Sequence, residues 1–263
     1  MSALQKAAAA SRLACTQLTV EVAGRVLVRN LDLSIASGTV TAVLGRNGAG
    51  KTMTLHTLAG LRAPAHGTVT LDGEPLASWP RRALGRKLGL LTQTTEDPFP
   101  STVLDSVLVG RHPHIDFWRW ESDADRAIAR AALAAVALET LAERDVDTLS
   151  GGERRRVALA TLLAQNPDVL LLDEPINHLD PHHQLDVLKL LRDRAGEGRT
   201  IVMSLHDAGL AARFSDHALL LFGNGEWLSG PTSEVLTPQT MTKLYGVAVR
   251  EIAFPGGRTF VAG

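Results

Sequence analysis

The sequence predicts an α/β fold on three observations. A glycine-rich run, Gly45-Arg46-Asn47-Gly48-Ala49-Gly50-Lys51-Thr52, has the form G-x-x-x-x-G-K-T and sits between a strand-like segment and a helix-like one. A second apolar run, Val169-Leu170-Leu171-Leu172, ends in two carboxylates, Asp173 and Glu174. From 168 to 222, strand-like and helix-like segments alternate, the pattern of a doubly wound parallel sheet. Together these predict a P-loop nucleotide-binding core, to which the remaining pattern adds an antiparallel β subdomain and a helical insertion.

Each element has its own justification. Residues 1–11 read as a loose tail. Lys6-Ala7-Ala8-Ala9-Ala10 followed by Leu13-Ala14-Cys15 has some character of a lipoprotein signal, but Ser11 and Arg12 interrupt any apolar stretch, so no signal peptide is expected. Segments 13–22 and 26–35 alternate as antiparallel strands about a turn at Ala23-Gly24. Residues 39–44 form a buried strand, 67–73 a strand bounded by glycines, and 87–93 another strand. Residues 102–165 are mostly helical. There Ser122-Asp123-Ala124-Asp125 is a capping start, an Ala- and Leu-rich run follows to Ala142, and a helix covers 152–165. After Asn166-Pro167 come strand 168–173, helix 181–195, strand 200–204, helix 207–213 and strand 217–222. The tail, 225–263, reads as short strands plus a helix over 238–245. The expected organisation is one domain, with a core of 12–93 and 166–263 and a helical subdomain of 94–165.

Bulk properties narrow the function. The 263 residues suit one large α/β domain, and 45% hydrophobic content supports a full core. A net charge of −1 carries no basic surplus demanding nucleic acid. The longest apolar run, 131–138, falls far short of the ~20 residues of a membrane span. The single cysteine, Cys15, excludes an intramolecular disulfide and suits a reducing cytoplasm.

The glycine-rich run specifies phosphate chemistry. Its glycines let backbone N–H groups ring the phosphates, Lys51 reaches the β- and γ-phosphates, and the Thr52 hydroxyl is suited to Mg²⁺. The helix opening near Lys51 points its positive end at the same anion. Asp173, at the carboxyl end of an interior strand, is placed to hold the Mg²⁺ hydration shell. Glu174 is placed to orient or deprotonate an attacking water. A nucleoside triphosphate is therefore the expected ligand.

These runs, together with Gln93, Leu149-Ser150-Gly151-Gly152-Glu153, Asn177-His178-Leu179-Asp180 and His206, occur in the order found in ATP-binding-cassette ATPases, which the chain resembles over essentially its whole length. Gly110-Arg111-His112-Pro113, the run from Asp173 to Asp180 and the ending Leu244-Tyr245-Gly246-Val247 resemble one branch, the ATPase subunits of importers for iron-siderophore, haem or cobalamin. The resemblance implies ATP and Mg²⁺ as ligands. It implies Glu174, His206 and Gln93 as catalytic residues, with Gln93 reaching the Mg²⁺ or the attacking water and His206 sensing the γ-phosphate. It implies two chains paired head to tail, so that Ser150, Gly151 and Gly152 of one chain cap the nucleotide of the other and Asp180 links the two sites. It also implies a transmembrane permease dimer, an extracytoplasmic substrate-binding protein acting through it, no nucleic acid, and a peripheral position on the cytoplasmic face of the inner membrane. The alternatives are a soluble ATPase not coupled to transport, whose relatives carry a long coiled coil or two cassettes, and an exporter subunit, which is often fused to membrane helices.

The chain departs from the pattern at the base. The family usually stacks an aromatic on adenine upstream of the phosphate loop, whereas this chain has no Phe, Tyr or Trp before Trp79. The matching position is Val22, with Arg25 nearby, which predicts weak discrimination between ATP and GTP. Among the remaining signals, Arg154-Arg155-Arg156 reads as a solvated helix face. His178, His182 and His183 read as surface or dimer-interface residues. Phe117-Trp118-Arg119-Trp120 reads as subdomain core, with a docking surface for a membrane partner as the alternative.

Overall fold

The computed structural model describes residues 11–93, 101–116 and 118–263. The expected tail 1–10, the start of the insertion at 94–100 and Phe117 lie outside the described residues. A hairpin comes first, β1 (Leu13–Val22) and β2 (Arg25–Ile35), turned at Ala23 and Gly24 with φ of 48° and 78°. β3 (Val40–Gly45) is buried along its whole length and leads through the glycine-rich loop into α1 (Lys51–Leu58). β4 (His66–Leu71) and the short β5 (Glu74–Pro75) complete an antiparallel sheet in the order β2-β1-β4-β5. The expected strand over 67–73 stops at Leu71 because Asp72 (φ 51°) and Gly73 (φ 82°) turn the chain into β5.

α2 (Arg81–Lys87) runs directly into β6 (Leu88–Leu91), so the strand expected from Lys87 begins one residue later. The helical segment contains α3 (Val103–Leu108), α4 (Asp123–Ala135) and α5 (Gly151–Gln165). α4 opens on a complete capping box, with Ser122 Oγ accepting from Asp125 N. It ends at Ala135; Ala137 takes φ 56° and reverses the chain, which brings Leu138 and Ala142 back into the core.

The chain then alternates β7 (Val169–Leu172), α6 (Pro181–Gly196), β8 (Thr200–Ser204), α7 (Ala208–Phe214), β9 (His217–Leu221) and β10 (Trp227–Pro231). Among the described residues these strands join β3 and β6 in a sheet ordered β10-β9-β3-β8-β7-β6. Its pairs from β9 to β6 are parallel, and β10 closes the edge antiparallel. The chain closes with α8 (Thr232–Val235), α9 (Pro238–Tyr245) and a hairpin of β11 (Val249–Phe254) and β12 (Gly257–Ala262).

The interior strands read as unbroken apolar runs because both faces of the parallel sheet are covered. Side chains alternate between the faces. Val40, Ala42, Leu44, Leu170 and Leu172 pack with the helices of the 103–165 segment and with α6 and α7. Val43, Val169 and Leu171 pack with β1, β2 and α1. Within this arrangement β3, β8, β7 and β6 are neighbours. Their carboxyl ends therefore open side by side, where an α/β sheet presents its ligand crevice.

Candidate active site

The loop after β3 is shaped by close approach. A Cβ at Gly45 would lie 2.8 Å from the Leu221 carbonyl oxygen and 3.0 Å from the Ala49 Cβ. Gly50 precedes α1 with φ 106°, a conformation that favours glycine. Lys51 is 6% exposed, and its ammonium donates 2.9 Å to the Gly45 carbonyl, folding the side chain back along the loop. Burial pushes the Lys51 pKa down, while Glu174 and Asp173 oppose that shift by Coulomb attraction. Thr52 is half-buried at the start of α1; Arg46, Asn47 and Gly48 are exposed at the loop tip, and Ala49 is buried. No side-chain oxygen caps α1, whereas Thr102, Ser122, Ser150, Asp180 and Asp207 cap α3 to α7 in turn. The first N–H groups of α1 thus stay available to an anion.

The carboxylates lie two strands away. Asp173 is fully buried and anchored by Ser204, whose hydroxyl donates 2.6 Å to Asp173 Oδ1 while accepting from Glu174 N at 2.7 Å. The other oxygen, Asp173 Oδ2, is buried without a partner. A buried, unpaired carboxylate oxygen is costly; a hydrated divalent cation would satisfy it, so the donor set fits Mg²⁺. Glu174 is 7% exposed and adopts φ 53°, an uncommon conformation for a residue other than glycine. Three groups meet its carboxylate: the Gln93 amide at 3.2 Å, the His206 Nε2 at 2.7 Å and the Asn177 amide. Gln93 and His206 are otherwise exposed. The strand ends thus bring together Gln93, Asp173, Glu174 and His206, four residues spread over more than a hundred positions in sequence.

Ser150, Gly151 and Gly152 open α5 on a separate surface shared with His178, Asp180 and His183. Ser150 is bound into a capping box: its backbone N–H and its hydroxyl both donate to Glu153 Oε2 at 2.8 Å. Those bonds hold the Glu153 carboxyl below its usual range, the backbone N–H contributing most. Asp180 caps α6 by accepting from His183 N at 3.0 Å, and its Oδ2 lies 2.7 Å from His183 Nδ1. These two bonds, the backbone one first, lower the Asp180 pKa. Val22 and Arg25 pair across the first hairpin turn, and Arg25 Nη2 donates 2.9 Å to the Gly223 carbonyl. Gly223 lies against Ala49 of the phosphate loop, so Arg25 flanks that loop.

Two sequence readings are corrected. Arg154, Arg155 and Arg156 do not form one solvated face: Arg154 is exposed, Arg156 is half-buried, and Arg155 is 6% exposed. Successive helical residues are ~100° apart, so three in a row cannot share a side. Nor are the tryptophans core: Trp118 and Trp120 are 91% and 90% exposed. Ala129, Ala132 and Leu133 of α4 already fill the space beside α5. Arg111, by contrast, turns inward, pairing with Asp125 at 3.0 Å and the Ala164 carbonyl at 2.7 Å.

Sequence reasoning assigned no role to Ser204, whose partner Asp173 sits at the end of the neighbouring strand, nor to Tyr245, and it named Asn177 within a motif without its contact to Glu174, three residues back. The Tyr245 hydroxyl donates 3.1 Å to the His206 carbonyl, and burial raises its pKa. Tyr245 was visible as part of the ending motif, without a chemical partner.

A phosphate loop after β3, acidic strand ends beside it and an amide and imidazole facing the same carboxylate define a P-loop nucleoside triphosphatase. The sequence profile described as ABC transporter matches residues 28–177. The chain is 37% identical over 260 residues to the ferric enterobactin transport ATP-binding protein FepC of Escherichia coli (strain K12), covering 95% of this chain and 96% of that one. It is 41% identical over 231 residues to the hemin import ATP-binding protein HmuV of Nocardia farcinica, covering 88% and 80%. Among solved structures, a metal-chelate type ABC transporter in an inward-facing conformation matches with a TM-score of 0.84 at 28% identity, covering 96% of this chain and 97% of that one. The chain belongs to the ABC transporter family, as one of its ATP-hydrolysing, ATP-binding proteins.

Proposed function

We propose that this chain is the energy-coupling subunit of an importer, using ATP hydrolysis to drive uptake of a cargo of the iron-siderophore, haem or cobalamin class. The observation that carries the reading is the convergence of Gln93, Asn177 and His206 on the Glu174 carboxylate, beside the unpartnered oxygen of Asp173. Relatives named for ferric enterobactin and hemin, aligned along most of this chain, support the cargo class.

In this mechanism the phosphate loop and the first N–H groups of α1 grip the β- and γ-phosphates, and Lys51 leaves the Gly45 carbonyl to join them. Glu174 orients the attacking water and accepts its proton as the water oxygen bonds to the γ-phosphorus and the bond to the bridging oxygen breaks. His206 and Gln93, now touching Glu174, turn to the γ-phosphate and to the water. Thr52 and Gln93, and through water Asp173, would hold Mg²⁺, which when bound neutralises phosphate charge. The signature residues Ser150, Gly151 and Gly152 act in a second copy of the chain, with Asp180 between the two sites. The helical segment carries this change to a membrane permease, and the exposed Trp118 and Trp120 belong to the face that meets it. No helix among the described residues is long and apolar enough to cross a membrane. Membrane attachment in this reading is peripheral, on the cytoplasmic face, and the extracytoplasmic binding protein acts only through the permease.

Glu174→Gln tests it. The substitution keeps shape and most hydrogen bonding but removes proton acceptance, so phosphate release should fall by ~100-fold or more. ATP and Mg²⁺ should then hold two chains together in size-exclusion chromatography with light scattering, and ADP should not. A mutant that stays monomeric at saturating ATP, free and with its permease, would sink the two-chain site.

A further inference from the structure

Arg155 is a buried cation that the mechanism above leaves unused. It lies on α5, one turn inside the helix whose N-terminus carries Ser150, Gly151 and Gly152. Its guanidinium makes no hydrogen bond to a carboxylate. Nη1 donates 2.6 Å to the Thr92 carbonyl and 3.4 Å to that of Gln93, and Nη2 donates to the Asp173 carbonyl. Nε is buried without a partner. The three acceptors belong to two strand ends: β6, which leads into Gln93, and β7, which leads into Asp173 and Glu174.

A guanidinium is expensive to bury, so one held at 6% exposure by main-chain carbonyls alone must be repaid by its surroundings. Burial lowers its pKa, and the negative charges of Asp173 and Glu174 oppose that shift. Its planar fork suits this geometry, because it can reach two chain segments at once, which an ammonium cannot.

We infer that Arg155 is a positioning residue that locks the Ser150–Gly152 end of α5 to the two strand ends bearing Gln93, Asp173 and Glu174, so that the clasp a chain gives its partner's nucleotide also sets the geometry of its own catalytic carboxylate. The inference rests on the ATPase reading. Any displacement of α5 relative to the sheet pulls the guanidinium from one set of carbonyls or drags them with it. Clasping a neighbour and aligning Glu174 thereby become one movement.

The experiment uses the full chain, with Arg155→Met and Arg155→Lys. Arg155→Met removes the donors and the charge at similar length, and kcat for phosphate release should fall by about 10- to 100-fold, the usual effect of losing a supporting group. Affinity for a fluorescent ATP analogue should stay within about twofold, since Arg155 donates its hydrogen bonds to the strand ends and not to the phosphate loop, and a KM-against-kcat split should follow. Arg155→Lys, which can serve one strand end, should recover part of kcat. In the Glu174→Gln background, Arg155→Met should still form the ATP-dependent dimer, because the clasp itself is intact. A wild-type kcat in Arg155→Met would overturn the inference, as would joint loss of kcat, affinity and dimerisation, which marks a collapsed helix. Should Arg155→Met fail to fold, a wild-type kcat in Arg155→Lys overturns it equally. Failure of the ATPase reading looks different: the unsubstituted chain would then release no phosphate.

Discussion

The two helix ends that the proposed mechanism assigns to anions are built in opposite ways. At the N-terminus of α1 no side chain caps the helix, and Gly50 brings the loop close. Lys51, the charge assigned to the phosphates in the proposed mechanism, is already buried there. At the N-terminus of α5 the same kind of end is exposed and satisfied from within, with Glu153 holding the Ser150 N–H and hydroxyl. The first end leaves its backbone donors open and bears the cost of a desolvated lysine, as a self-sufficient ligand site does. The second has its donors satisfied by an internal carboxylate, which in the proposed mechanism a phosphate would have to displace. The difference teaches that the helix dipole alone does not define a site; what occupies the cap decides whether an anion is invited or already replaced.

The largest break in that comparison is Lys51→Ala. It removes the charge aimed at the phosphates and leaves α5 untouched, so turnover should drop by ~100-fold or more. Phosphate release measures it, and wild-type turnover would remove the phosphate loop from the mechanism.

Glu153→Ala sharpens the other side. Losing the carboxylate of a capping box costs about 1 kcal/mol of helix stability, and it also takes a negative charge from the approach of a phosphate. ATP affinity of the free chain should be unchanged. ATP-induced dimerisation in the Glu174→Gln background should change by up to roughly fivefold, the equilibrium equivalent of that energy. A large loss of affinity in the free chain would mean that the two ends are not independent.

The smallest effect concerns the frame under the phosphate loop. Asp216 Oδ2 accepts from Val40 N at 2.9 Å and from Arg192 at 2.6 Å, pinning the start of β3. Burial pushes the Asp216 pKa up, but the bonds from Arg192 and Val40 outweigh it and the net shift is downward. A lowered carboxyl pKa stabilises the fold above the unfolded value of about 3.9 and loses that contribution as pH falls through the lower folded value. Asp216→Asn should therefore cost about 1 kcal/mol near neutral pH, the pair being partly solvated. The gap to wild type should close only below about pH 4. Urea melts at several pH values would show it, and a gap that persists unchanged into strong acid would contradict the assignment.

Much of the fold was legible because strands buried on both faces announce themselves as apolar runs, and because caps and glycines mark their ends. β8 and α9 occupy the spans predicted for them. α2 was missed: Arg81-Arg82-Ala83-Leu84-Gly85-Arg86-Lys87 buries no residue, so it lacks the apolar stripe from which a helix is recognised. The run of three arginines misled because periodicity places residues around a helix without saying which side meets the sheet. The tryptophans misled because large apolar residues are usually buried, and here α4 had already filled the volume beside α5 with alanines and a leucine.

What the sequence by itself determined are the local devices: the phosphate loop with its lysine, the acidic strand end, and the serine and glycines opening α5. Each rests on interactions within a few residues, so spacing and residue type suffice. Only the tertiary structure decided that Ser204 anchors Asp173, that Gln93 and His206 both face Glu174, that Tyr245 holds the His206 carbonyl, and that Arg155 joins α5 to both strand ends. These contacts cross from strand to strand or helix to sheet, and their partners follow from sheet order and register, which local sequence does not encode.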